Sequence, residues 1–154
     1  MSDIQVAVSA SIDAPPARVY EVLADYRNHH PNILPKAYFA KVEITKGGQG
    51  VGTEFVANMN IYGSKRTFHM TVSEPEPGRV LAETDAKLGT YTTFTVEPLE
   101  GGAKSKVTIA TTSKASTGIG SWLERLTTPM IMRKIYQEEL EQLNAYMQQL
   151  PADR

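Results

Sequence analysis

The 154-residue sequence contains no cysteine. This absence excludes disulfide bonds, thiolate nucleophiles, iron–sulfur clusters and cysteine-ligated zinc sites, and it suits a reducing compartment. The chain also has almost no net charge, since 16 basic and 17 acidic residues give a formal charge of -1. A nearly neutral protein exerts little general attraction on nucleic acid or anionic lipid, so polyanion binding is not expected.

Long apolar runs and targeting signals are missing as well. The longest apolar segments are far too short to cross a bilayer, and the amino terminus shows no basic segment followed by an apolar one. We therefore expect a cytoplasmic protein without a membrane span. The length fits one domain, residues 1–154, and 41% hydrophobic with 21% charged residues is typical of a folded chain.

Seven segments alternate apolar with polar residues, as strands with one buried face do. The first runs from Ile4 to Asp13, and Ala14-Pro15-Pro16 ends it and starts a short helix. Segment 27–37 holds two prolines and supports a second short helical turn. The later strands are separated by short turns rich in glycine and proline, which favour antiparallel hairpins. They are predicted at 38–45, 53–62, 65–73, 79–84, 90–96 and 106–112.

The last part of the chain, 118–150, changes to a helical period and predicts the longest element. Its apolar residues form two stripes rotated by about 90° around the axis, with Pro129 between them. A straight helix cannot bury both stripes equally, so a kink or a one-residue phase slip is predicted between Leu126 and Met132. The first stripe holds Ile119, Trp122, Leu123, Leu126 and Met130, and the second holds Tyr136, Leu140, Leu143, Met147 and Leu150.

One helix is too narrow to cover the predicted sheet. Seven strands at about 4.8 Å spacing span about 34 Å, whereas a helix with its side chains covers about 10–12 Å. The remaining space is filled by large side chains, the more common outcome for any one residue, or it forms an apolar ligand pocket. The candidate ligand-binding residues are Tyr38, Phe55, Met59, Phe68, Met70 and Phe94 on the strands and Trp122, Arg125, Leu126 and Met130 on the helix.

Patterns for catalysis or metal binding are sparse. His29 and His30 are adjacent and would point in different directions, so a surface or packing role is the default for both. His69 falls on the polar face of its strand. No nucleophile elbow or phosphate loop occurs, and the pair Glu138-Glu139 is interpreted as solvated. No catalytic residue, metal or cofactor is assigned.

Several short motifs extend over most of the chain. They are the Ala14-Pro15 helix start with Val19-Tyr20-Glu21-Val22-Leu23-Ala24-Asp25-Tyr26, then Leu34-Pro35, Gly50-Val51-Gly52-Thr53 and Glu74-Pro75-Glu76-Pro77-Gly78-Arg79. With this order of elements, the chain resembles the polyketide cyclase/dehydrase and lipid-transport family of the Bet v 1-like START (SRPBCC) superfamily. The resemblance implies an α+β helix-grip fold. In this fold a seven-stranded antiparallel sheet curls around a long C-terminal helix, with two short helices after the first strand and an apolar pocket inside.

The resemblance implies a hydrophobic ligand but does not choose between binding and catalysis. The first hypothesis is binding or transport of a hydrophobic or aromatic small molecule, such as a lipid, sterol, quinone or polyketide-like compound. The alternative is a polyketide cyclase/dehydratase acting on a poly-carbonyl substrate, with Arg125 or a pocket tyrosine polarising a carbonyl. A third hypothesis is an interaction module that uses the last helix. Whether the chain is an enzyme, and whether it forms a homodimer, stays open.

Overall fold

Alternation of apolar and polar residues produces seven strands in the computed structural model, which describes residues 4–114 and 121–151 and, within 121–127, the backbone alone. In β1 the side chains of Ile4, Val6 and Val8 are buried while their neighbours are exposed. This is the burial pattern of a sheet with one face on the core. The strands are β1 (Ile4–Ile12), β2 (Phe39–Lys46), β3 (Glu54–Ile61), β4 (Ser64–Glu76), β5 (Val80–Asp85), β6 (Thr90–Leu99) and β7 (Lys104–Ser113).

Two short helical segments follow β1, as predicted. Helix α1 (Pro16–Ala24) begins with a proline, which needs no hydrogen-bond partner for a backbone donor in the first turn. It buries Val19, Tyr20, Val22 and Leu23, and a 3₁₀ helix follows at His30–Ile33. A second 3₁₀ turn, Glu100–Gly102, connects β6 to β7.

All strands join one antiparallel sheet in the order β1-β7-β6-β5-β4-β3-β2. From β2 to β7, strands adjacent in the sequence are adjacent in the sheet, which follows from the short turns between them. β1 pairs instead with β7, so β1 and β2 form the two edges.

Helix α2 (Ser121–Gln149) continues through Pro129 and packs against β1 and the first 3₁₀ helix. It buries Leu140, Leu143 and Met147 of the second predicted stripe, which join the core with side chains from the inner face of the sheet. The predicted α+β helix-grip fold is therefore confirmed. Within 4–114 and 121–151, no helix has the length and apolar character that a membrane span requires.

Candidate functional site

A cavity of about 340 Å³ lies between the sheet and α2. Apolar side chains from several strands and from two consecutive turns of the helix form most of its wall. Ligand cavities in proteins commonly measure about 300–1,000 Å³ and have apolar walls of this kind. The apolar wall includes Phe55, Ala57, Met59, Phe68, Met70 and Phe94 of the sheet and Ile131, Met132 and Ile135 of α2.

The cavity reaches the surface at the end formed by the β3–β4 hairpin, the β5–β6 turn and the end of β7. Four residues of its wall, Ser64, Arg66, Leu88 and Lys114, are exposed. We call this end the mouth. The opposite, inner end is formed by buried side chains and lies beside the first 3₁₀ helix.

Five of the ten candidate ligand-binding residues line the cavity. They are Phe55, Met59, Phe68, Met70 and Phe94. The shared orientation of the four residues on β3 and β4 follows from strand alternation, because these strands pair without any register shift and every second side chain stays on the inner face.

Tyr38 is buried but lies outside the cavity wall, which corrects its predicted position. The register of β2 against β3 shifts between Phe39 and Lys41, and a shift of this kind changes which side chains face inward. Phe39 and Val42 line the cavity instead. The ring of Tyr38 contacts the ring of Tyr62 edge-on, with 6.1 Å between the centroids.

Met130 does not line the cavity either, because its side chain is 68% exposed. It lies nine residues before the inward-facing Glu139, about two and a half helical turns, which places it on the opposite side of α2. The helix buries its second stripe, so a residue of the first stripe faces outward. The side chains of Trp122, Arg125 and Leu126 fall outside the described part of α2.

The inner end of the cavity holds a group of polar side chains that the sequence interpretation did not bring together. His30, Glu83 and Glu139 all line the cavity and are all buried. His30 Nε2 lies 3.8 Å from Glu83 Oε2 and 3.9 Å from Glu139 Oε2. Tyr26 donates a hydrogen bond of 2.6 Å to Glu83 Oε2. Glu139, interpreted as solvated, is therefore a wall residue.

Strand register and helix phase explain how these groups meet. On the sheet, Glu83 pairs opposite Thr92, and Thr92 pairs opposite Thr111. The two threonine hydroxyls are 2.7 Å apart, and all three side chains are buried. On α2, Tyr136 and Glu139 are separated by about one turn and face this row. The Tyr136 hydroxyl lies 2.5 Å from Thr111 Oγ1. A polar row on the sheet thus meets a polar pair on the helix.

The tautomer of His30 follows from its hydrogen bond. Nδ1 lies 2.6 Å from the carbonyl oxygen of Leu23, which can only accept, so Nδ1 carries the proton and donates it. Burial lowers the pKa of His30 from 6.5 to about 4, and the bond to Leu23 opposes this only in part. The imidazole is neutral at pH 7, and its Nε2 lone pair is an acceptor.

Burial also raises the pKa of both carboxyl groups. The pKa of Glu83 rises from 4.5 to about 7, with the Tyr26 hydrogen bond opposing the change. The pKa of Glu139 rises well above 4.5, first because of burial and then because of the neighbouring Glu83 charge. Burial therefore shifts both carboxyl groups toward the protonated form, and Glu83 is partly ionised at neutral pH. Burial likewise raises the pKa of Tyr136 to about 12.

Aromatic rings surround the polar group. The ring of Tyr26 stacks on His30 with centroids 4.5 Å apart and on Phe55 with centroids 5.2 Å apart. Phe94 meets His30 edge-on at 5.2 Å. These contacts hold the imidazole in place and shield it from solvent. In the described part of the chain, no set of three or more His, Asp or Glu side chains has the arrangement of a metal site.

Two sequence signals pointed to the missed residues. Glu83 follows Leu81 by two positions in a predicted strand, so it shares the inward face of that buried leucine. Glu139 directly precedes Leu140 and lies one turn after Ile135, on the stripe that α2 buries. A charged residue at an inward position is the feature that distinguishes both from ordinary surface carboxylates.

The fold has several solved counterparts of similar length. The NMR structure of a protein named KanY is 27% identical, has a TM-score of 0.82 and aligns over 96% of this chain and 99% of that one. The Zhui aromatase/cyclase from a Streptomyces species is 19% identical, with a TM-score of 0.75 over 93% and 92% of the two chains. A START superfamily protein from Mycobacterium smegmatis is 12% identical, with a TM-score of 0.72 over 96% and 99%.

The similarities to the Streptomyces and Mycobacterium proteins show a shared fold alone. Among curated proteins, none matches the sequence significantly. Residues 3–148, however, match the family described as polyketide cyclase/dehydrase and lipid transport. The chain therefore belongs to the polyketide cyclase/dehydrase and lipid-transport family.

Proposed function

We propose that the protein binds a hydrophobic or aromatic small molecule in the cavity between the sheet and α2. The observation that carries this proposal is the cavity itself, about 340 Å³ with mainly apolar walls and a mouth at the surface. Moving apolar ligand surface from water into such a space is favourable by about 25 cal/mol for each Å² buried. Solid packing of the same side chains would instead have left no room for a ligand.

The family description supports this class of ligand, since it includes lipid transport. Ring-shaped ligands suit the wall because Phe55, Phe94 and Tyr26 present aromatic surface around the inner half of the cavity. Stacked and edge-on ring contacts stabilise such a ligand beyond the area that it buries.

The proposal is tested by native mass spectrometry of protein purified from its own host, followed by identification of the released molecule. We expect a bound apolar compound, and we expect the stripped protein to gain thermal stability when the compound is returned. A ligand-free mass spectrum, together with no thermal shift across lipids, sterols, quinones and polyketides, contradicts the proposal. A co-purifying protein in place of a small molecule would favour the interaction-module hypothesis.

A second candidate function is that of a cyclase/dehydratase acting on a poly-carbonyl substrate. The observation that favours it is the pair of buried carboxyl groups Glu83 and Glu139 in one apolar site, where burial raises the pKa of both, since enzymes use such carboxyl pairs as acid and base. Protonated Glu139 would donate to a carbonyl oxygen, and ionised Glu83 would accept a proton from the adjacent carbon. Arg125 and the partly buried Tyr136, which lines the cavity, remain candidates for polarising the carbonyl.

Turnover of a poly-carbonyl compound tests this second candidate. We expect Glu139→Gln and Tyr136→Phe to lower kcat by at least about tenfold if these groups contact the reacting atoms. The exposed Glu141 on the same helix provides the matched control, Glu141→Gln. Turnover that survives both cavity substitutions unaltered removes these residues from the mechanism.

A further inference from the structure

We infer that the inner end of the cavity, formed by His30, Glu83 and Glu139, binds a protonated amine at the buried end of the hydrophobic ligand. The inference rests on the proposed binding function and names the chemical class of the ligand. Its ligand is an apolar or aromatic amine that enters with its ammonium group first.

The three side chains offer acceptors and almost no donors. His30 donates its one ring N–H to the carbonyl oxygen of Leu23, so its Nε2 can only accept a hydrogen bond. Glu83 accepts one bond from Tyr26 and retains further lone pairs. Glu139 Oε2 is buried and has no hydrogen-bond partner in the part of the chain that the structure describes. A buried acceptor without a partner costs free energy unless a ligand supplies a donor.

The spacing of the acceptors fits a single nitrogen. Nε2 of His30 is 3.8 Å from one carboxyl oxygen and 3.9 Å from the other. These separations are too long for direct hydrogen bonds, but a nitrogen can lie about 2.9 Å from both members of each pair. A primary ammonium carries three N–H donors and no acceptor. An ammonium between His30 and either carboxyl group can therefore donate one hydrogen bond to each member of that pair.

The distribution of charge around the cavity also favours a cationic group at the inner end. The cations among the described cavity-wall residues are Arg66 and Lys114, and both are exposed at the mouth. Arg125 lies fourteen residues before Glu139 on α2, about 21 Å along the helix axis. Within the described side chains, the two buried carboxyl groups thus have no cationic partner. The rings of Tyr26, Phe55 and Phe94 around them favour a cation further.

Other head groups fit the inner end less well. A carbonyl oxygen brings only an acceptor, which protonated Glu139 alone could serve. A carboxylate would meet two acidic side chains at the inner end and would be held more favourably at the mouth by Arg66 and Lys114. The raised pKa values of Glu83 and Glu139 agree with this comparison, since burial disfavours their charges and a ligand cation would stabilise them. The other titratable groups that face it are Tyr26, His30 and Tyr136.

Four naphthalene compounds that share one apolar body test the inference: naphthylethylamine, naphthylethanol, naphthylacetate and ethylnaphthalene. Their affinities are measured by titration calorimetry at about pH 8, where the amine is still protonated and Glu83 is mostly ionised. We expect the amine to bind at least about tenfold more tightly than the alcohol and the hydrocarbon, and the carboxylate to bind most weakly. In buffers of different ionisation enthalpy, amine binding is expected to release protons, because an ammonium lowers the pKa of the neighbouring carboxyl groups that burial has raised.

Substitutions localise the effect. Glu139→Gln and Glu83→Gln are each expected to weaken amine binding by about tenfold or more and to leave ethylnaphthalene affinity within about twofold. Glu141→Gln, on the exposed face of α2, is expected to change neither the amine affinity nor the ethylnaphthalene affinity. If a cavity variant does not fold, the wild-type protein decides the matter. Its preference for amine over hydrocarbon must then fall as the pH is lowered and the carboxyl groups keep their protons.

The outcomes separate this inference from the proposed function. An amine that binds no more tightly than ethylnaphthalene, or a carboxylate that equals the amine, overturns the inference and leaves the binding proposal standing. No binding of any of the four, together with a ligand-free mass spectrum from the host, contradicts both.

Discussion

The hydroxyl of Tyr26 donates a 2.6 Å hydrogen bond to Oε2 of Glu83, and both side chains are buried. The bond joins the segment after α1 to the middle of the sheet. It also favours the ionised form of Glu83, in opposition to burial. The charge at the inner end of the cavity therefore depends on a residue more than fifty positions away in the sequence.

Removing this donor with Tyr26→Phe is expected to raise the pKa of Glu83 above about 7, because the carboxylate loses the group that stabilises its charge. At about pH 8 the free energy of unfolding should fall by about 1–3 kcal/mol, since a buried acceptor is left without its partner. An NMR titration of the glutamate side-chain carbons measures the first effect and urea unfolding the second. The partly exposed Tyr91 gives the control, Tyr91→Phe. An unchanged Glu83 titration would contradict the assignment.

Glu139→Gln is expected to change how stability depends on pH. The folded-state pKa of Glu139 lies above its ordinary 4.5, so between these values the folded protein holds a proton that the unfolded chain has lost. The free energy of unfolding therefore falls as pH rises through this window, and glutamine removes that loss. Relative to the wild type, we expect the free energy of unfolding of the variant to increase by up to about 1.4 kcal/mol for each pH unit above about 5.

Urea unfolding at several pH values measures this gain. Glu141 is exposed, so the free energy of unfolding of Glu141→Gln is expected to differ from that of the wild type by a constant amount over the same pH range. If the free energies of unfolding of Glu139→Gln and the wild type also differ by a constant amount, the pKa of Glu139 in the folded protein is not raised above its ordinary 4.5.

His30 is expected to stay neutral down to about pH 5, with the proton on Nδ1, because burial lowers its pKa to about 4. Between this value and 6.5 the unfolded chain binds a proton that the folded protein does not. His30 therefore destabilises the fold as pH falls through that window, in opposition to the effect of Glu83 and Glu139. Long-range ¹⁵N–¹H correlation spectra show both the tautomer and the titration. A midpoint near 6.5 would mean that the imidazole is not enclosed as described.

Filling the cavity should abolish ligand binding without disrupting the fold. Ala57 is buried on the cavity side of β3, whereas Val56 points to the other face of the sheet. We expect Ala57→Phe to weaken binding of ethylnaphthalene by more than about tenfold, since the new ring occupies the ligand's space. The free energy of unfolding should change by about 1 kcal/mol or less, because the ring enters empty volume and does not compress a packed core. Val56→Phe should leave affinity unaltered, and equal binding by both variants would exclude this cavity as the site.

Prediction from the sequence succeeded where one local rule acts alone. Alternation located all seven strands and placed Phe55, Met59, Phe68 and Met70 on the cavity wall, because β3 and β4 pair in unbroken register. It failed at Tyr38, which lies in the turn directly before β2, and a register shift between Phe39 and Lys41 changes the inward set of that strand. Such a shift depends on the partner strand and the packing, which alternation within one strand does not contain.

The polar inner end was missed for a different reason. Carboxylates are mostly found at the surface, so Glu139 was interpreted as solvated and Glu83 was not considered. Their burial depends on which face of α2 meets the sheet and on which residues lie opposite Glu83 across three strands. Met130 illustrates the same limit, since two apolar stripes competed and only tertiary packing decides which one is covered.

The pairing of β1 with β7 has a consequence for biosynthesis. Ile4 lies opposite Ser113, so the first strand of this sheet to be synthesised must wait for its last strand before it has a neighbour. Until then Val6 and Val8 have no core to enter, and an apolar edge is open to other nascent chains. Completion of the sheet thus depends on a contact between distant parts of the chain, and such contacts make folding slow.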